Sequence, residues 1–162
     1  MIQWLHDEQC SVALDTRHQP ALISTWYGQP SCRLVDHYFS WSDACAAAAL
    51  ADEQRMIHII NLLGVQVPAA IVRKRAIEHA RENLAVELRV ATIAVTESLA
   101  MRGFVGALFA TGQYRHDSEV LVVESIDEAI EEGLRCLREA RIPPPVGLAP
   151  GRYCAPTLDL AS

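Results

Sequence analysis

An α/β domain is what the sequence predicts, on three observations. β-rich runs and helical stretches alternate along most of the chain, residues 56–63 are nearly continuous in apolar side chains, and Pro68 follows that run closely enough to open a helix. A strand that is apolar at successive positions is covered on both faces, which calls for helices packed on a sheet. With 162 residues, 51% hydrophobic and 21% charged, the chain can bury one ordinary core and is too short for two comfortable ones.

Each element has its own signal. Residues 10–14 and 21–27 are rich in β-formers and flank "DTRHQP", whose Asp, His and Pro suit a turn, so they predict a hairpin. After "GQPS", Leu34, Tyr38, Trp41, Cys45 and Ala48 recur at helical spacing with Asp36, Ser40 and Asp43 between them. An alanine run to Ala51 adds helix propensity, so residues 32–53 are the first predicted helix. The run at 56–63, interrupted by His58 and Asn61 and bounded by Arg55 and Gly64, is the next strand. Pro68 suits a first helical turn, where its missing N–H costs nothing. Ile71, Ile77, Ala80 and Leu84 are expected to line the buried side of that helix, with Arg73, Lys74, Arg75, Glu78, His79, Arg81 and Glu82 on its wet face.

"RVATIAVTES", residues 89–98, reads as a strand, and Ser98 can cap a helix from 99 to about 111 that Gly112 ends. "EVLVVES", residues 119–125, is the last strand. The last helix follows Ser125, with Asp127 and Glu128 near its positive end and Arg135, Arg138 and Arg141 near its negative end. Ile126, Ile130, Leu134 and Leu137 form its apolar stripe. The predicted order is ββαβαβαβα: a central mixed sheet of about five strands with four helices, the later strands made parallel by right-handed crossovers. From Pro143 the chain holds five of its eight prolines and no periodicity. Residues 1–142 are therefore expected to be the single domain, and 143–162 a Pro-rich flexible tail outside it.

A formal net charge of −6 argues against a surface built to neutralise phosphates, so nucleic acid is not expected as a partner. Five cysteines, far apart and never in a CxxC pair, signal neither a disulfide framework nor a zinc site and suit a reducing cytoplasm. "MIQWLHDEQC" lacks a positive stretch followed by an apolar run, so no secretory leader is expected. Residues 90–110 are interrupted by Glu97 and Arg102, whereas a membrane span needs about 20 largely uncharged residues.

The element order over residues 10–142, together with "IINLLGV" at 59–65, resembles the STAS domain family, also called SpoIIAA-like, typified by bacterial anti-sigma-factor antagonists. The resemblance implies an α/β signalling module that docks on protein partners. In phosphorylated members the next helix opens on Asp-Ser-Ser-Gly or a similar motif whose serine takes phosphate from a kinase. Here the matching stretch is "VQVPAA", residues 65–70, and Asn61 stands where the family has an acidic residue. No phosphoacceptor is carried over. Small STAS-like or SEC14-like bacterial proteins without that serine are the closer comparison.

Residue patterns leave little for catalysis. "LLGVQVPA" has one glycine and neither GK[ST] nor GxGxxG, so it reads as a plain turn. His6, His18, His37, His58, His79 and His116 include no pair at i, i+3 or i, i+4, so no metal is expected. Cys32, near the start of a helix and followed by Arg33, is the best candidate nucleophile, since a helix dipole favours a thiolate, whereas Cys45 and Cys136 read as core fillers and Cys154 lies in the tail. Arg73, Lys74, Arg75 and Arg81 could attract an anion but are diluted by Glu78 and Glu82. In "SLAMRGFVGALFATG", Leu99, Met101, Phe104, Val105, Leu108 and Phe109 surround the helix axis. A helix on a sheet needs only one apolar face, so a second cover is implied.

The expectation is a non-catalytic interaction or regulatory module without cofactor, self-associating as a homodimer or docking a protein partner through those six residues. The alternative is a small-ligand or lipid-binding domain with a pocket lined by Trp26, Tyr27 and Phe104, and an enzyme using Cys32 comes third.

Overall fold

A computed structural model describes residues 1–83, 88–112 and 116–158. The strands are β1 (Ile2–His6), β2 (Cys10–His18), β3 (Ala21–Gly28), β4 (Met56–Val65), β5 (Arg89–Val95) and β6 (Glu119–Val123). The helices are α1 (Cys32–Ala51), α2 (Ala70–Glu82), α3 (Leu99–Thr111) and α4 (Ile126–Glu139). All strands form one sheet in the order β1-β2-β3-β4-β5-β6, antiparallel from β1 to β3 and parallel from β3 to β6. Among the described residues, no helix is long and apolar enough to cross a membrane.

The α/β class and the alternation after the hairpin are as predicted, with six strands in place of about five. β1 is the addition. Its five residues "IQWLH" gain their order from pairing with β2, from Ile2↔Asp15 to His6↔Ser11, a contact that has no local sequence signal. The first hairpin strand runs further than predicted, to His18, while the second starts at Ala21 as predicted and ends one residue later at Gly28, leaving Gln19 and Pro20 as the turn.

Side-chain alternation along the strands builds two cores. Ile23, Ile57, Ile59, Ala91, Ile93 and Val95 face α4, where Ala129, Ile130 and Leu137 cover them. Gly133 lets that helix lie close: a Cβ there would sit 2.6 Å from Ile57 Cδ1. On the other face α1, α2 and α3 lie side by side over Val12, Leu14, Trp26, Ile60 and Ala94. The buried stripe of α2 is Val72, Ala76 and Ala80, whereas Ile71, expected inside, is 66% exposed. Ala80 is inside as expected, while Val72 and Ala76 take the place of Ile71 in the buried stripe; Leu84 lies outside the described residues.

The Pro-rich segment expected outside the fold lies instead on the α4 side of the sheet. Leu148 is buried in that core with Tyr153 against it, because α4 leaves part of β2 and β3 uncovered. Tyr27 Oη donates to the Pro156 carbonyl, Gly151 N donates to Asp127 Oδ1 at 2.7 Å, and Tyr153 Oη donates to Asp15 Oδ2 at 3.3 Å. Tyr153→Phe is expected to lower stability by about 1 kcal/mol, read from urea denaturation.

Asp15 is fully buried, and Arg17 reaches it through its backbone N–H at 2.9 Å, Nε at 3.0 Å and a terminal guanidinium nitrogen at 2.7 Å. Burial alone would raise the pKa, but the Arg17 hydrogen bonds outweigh it and hold the carboxyl below its ordinary value. The linked stability is therefore complete above the unfolded value of about 3.9 and is lost as pH falls through the lower folded value. Asp15→Asn should lose less stability between pH 5 and pH 3 than the wild type does, by denaturation at both pH values.

Candidate functional site

The carboxyl ends of β3, β4 and β5 meet the inner sides of α1, α2 and α3 around an apolar cavity. Its floor is Trp26 from β3, Ile60, Leu62 and Val65 from β4, and Ala94 from β5. Strict alternation would not turn both Leu62 and Val65 toward the helices. An extra residue in β4 does so, since the register steps from Thr25↔Asn61 to Tyr27↔Gly64. Val35, Tyr38 and Phe39 of α1, Pro68, Val72 and Ala76 before and along α2, and five residues of α3 form the walls. The space amounts to about 620 Å³ with its open mouth included, and its accessible lining is wholly apolar. It exists because Ala76 and Ala94 stop short where larger side chains would fill the gap.

α3 has found its second cover within the chain. Met101, Val105 and Phe109 are buried against the sheet and α2, Phe104 and Leu108 are half-buried, and all five line the cavity. Leu99, the sixth residue expected on a docking surface, is 86% exposed. Leu63, Val67 and Ile71, also exposed, lie at the same end of the sheet, just before and at the start of α2.

Of the residues named for a ligand pocket, Trp26 and Phe104 line the cavity. Tyr27 points to the opposite face, where it stacks on Trp4 with ring centroids 6.3 Å apart. Cys32 opens α1, half-buried against the core, and its thiol makes no hydrogen bond with any described residue. The basic run is a bridge between helices: Arg75 Nε and His79 Nε2 lie 2.7 and 2.6 Å from Asp36 Oδ1 on α1, and Arg73 donates to the Pro68 carbonyl. His79, expected on a wet face, stacks on Phe39 at 4.8 Å and so braces the cavity wall from behind. Among the described residues, no three His, Cys, Asp or Glu side chains gather as metal ligands.

Polar groups lie deeper, beyond Tyr38. His58 is fully buried, with Nε2 at 3.2 Å from Tyr38 Oη and 3.5 Å from Ser24 Oγ, and Nδ1 has no partner among the described residues. Burial first, and the nearby Arg89 second, push its pKa well below the ordinary value, so the ring is neutral at pH 7. A second, smaller cavity lined by Asn83 and Arg89 shares Tyr38, Phe39, Ile60, Leu108 and Phe109 with the first. Sequence reasoning missed Arg89, whose one signal was a charge opening an otherwise apolar strand.

No protein-family profile matches the sequence, and no curated protein matches it at a significant level. What the site can bind therefore follows from its own geometry.

Proposed function

We propose that the protein binds a small apolar ligand in the cavity between the sheet and helices α1 to α3. The observation that carries this reading is a wholly apolar cavity at the carboxyl ends of parallel strands. Open α/β sheets commonly bind ligands beyond those ends, and small-molecule sites are concave and mostly apolar. Exposed Leu63, Val67, Ile71 and Leu99 at the same end provide an apolar approach. Titration with the neutral fluorophore N-phenyl-1-naphthylamine should give saturable binding at one site per chain, displaced by octan-1-ol. Absence of saturable binding to folded protein would remove this reading.

The exposed Leu99 also supports a second reading, a non-catalytic STAS-like module that self-associates or docks a protein partner. Element order is its other support. Sedimentation at high concentration tests the self-association: Leu99→Glu should dissociate a dimer, and a wild type that is already monomeric leaves no role for it.

A further inference from the structure

We infer that the ligand of the apolar cavity carries a single carboxylate, bound by Arg89 at the deep end of the site. This rests on the small-ligand reading above and specifies the ligand's chemistry. Arg89 is turned toward the helices by an irregularity in β5, where the register steps from Met56↔Arg89 to Ile57↔Ala91. With regular alternation back from Thr92, Val90 would face the helices and Arg89 would lie on the α4 side. The extra residue reverses this: Val90 joins the core under α4, and a terminal nitrogen of Arg89 donates to Ser42 Oγ on α1 at 2.8 Å.

The guanidinium is thus a buried cation, in a residue only 5% exposed, and its Nε has no acceptor among the described residues. Among those residues, no carboxylate lies within ion-pair distance of it; Asp43 acts on it only electrostatically and is itself exposed. His58 is neutral and supplies no counter-charge, and the neighbouring Arg55 is already paired with Asp117 at 3.1 Å. A buried charge is costly unless it is paired and hydrogen-bonded, and a guanidinium offers a planar fork that matches a carboxylate. One buried cation with no ion-paired carboxylate among the described residues calls for one negative charge, which favours a carboxylate over a phosphate.

Position supports the same assignment. Arg89 lines the smaller cavity, and the wall between it and the apolar one is made of side chains, Tyr38, Phe39, Ile60, Leu108 and Phe109. A hydrocarbon chain seated among the apolar residues brings its head group to that shared wall, on the other side of which Arg89 lies.

Calorimetric titrations with octanoate and octan-1-ol, which share a chain and differ in the head group, provide the test. Wild-type protein is expected to bind octanoate about tenfold tighter than octan-1-ol. Arg89→Gln should lower octanoate affinity to that of octan-1-ol and so erase the difference, and Arg89→Lys should keep part of it. Equal affinities in the wild type overturn the inference without needing any variant, and a preference that survives in folded Arg89→Gln overturns the role of Arg89. Binding of octan-1-ol without preference leaves the apolar-site reading standing, whereas binding of neither compound removes both.

Discussion

Gly28→Ala is expected to destabilise the protein by about 3 kcal/mol, a large effect for the addition of one methyl group. Gly28 ends β3 with φ of 83°, a left-handed conformation that costs an L-residue roughly 1–2 kcal/mol. A Cβ at this position would also sit 2.2 Å from the carbonyl oxygen of Gln9. That oxygen belongs to the backbone and accepts a hydrogen bond from Gln29 N at 3.0 Å, so it cannot swing aside as a side chain can. Relieving such overpacking typically costs about 1–3 kcal/mol more. Gly28 also accepts from Gln66 N at 3.0 Å, tying the end of β3 to the segment that leads into α2. The change should therefore weaken ligand binding along with stability. Gly103→Ala and Gly106→Ala are the controls. Nothing lies within 4 Å of either added Cβ, and both sit in α3, where alanine is favoured by up to about 1 kcal/mol. Urea denaturation of the three variants should place Gly28→Ala far below wild type and the other two at or above it.

Ala76→Phe is expected to reduce binding of the neutral fluorophore by at least about a hundredfold while leaving the protein folded. Ala76 lies on the inner stripe of α2 and is 6% exposed, with its methyl bordering the cavity. A phenyl group there occupies the space the ligand needs. Filling an existing gap adds apolar burial at about 25 cal/mol per Å² and does not require the expansion that overpacks a dense core. Melting temperature should therefore hold or rise as affinity falls, a combination that separates an occluded site from a damaged fold. Wild-type affinity in a folded Ala76→Phe protein would mean that the fluorophore binds elsewhere.

Local chemistry made most elements legible. Ser98 and Ser125 cap α3 and α4 through hydrogen bonds from Met101 N and Glu128 N, and the acidic start of α4 agrees with its dipole. The all-round apolarity of α3 was legible too, but what covers it was not. That answer depends on α2 presenting Val72 and Ala76 beside Ala80, a stripe rotated from the expected one, which held Ala80 but not the other two. β1 and the segment after Pro143 were missed for a related reason: their order comes from distant partners, Asp15 and Ser11 for β1 and Asp15 for Tyr153. The site itself was the least legible part. Trp26 and Phe104 could be named because aromatic side chains are conspicuous, yet the cavity between them follows from two alanines. Arg89 enters only through a register step, and one inserted residue decides which side of a sheet every neighbouring side chain faces.

Strand order that follows chain order has a consequence for synthesis. Each strand leaving the ribosome meets, in the strand just made, the edge on which it will pair, so the sheet can grow by accretion with no strand waiting for a later one to be inserted beside it. The helical layer over one side is completed along the way. The other side waits for residues 126–139, and until they emerge Ile57, Ile59 and Ile93 stay bare. A nascent chain halted before α4 should therefore be the form that chaperones hold most firmly.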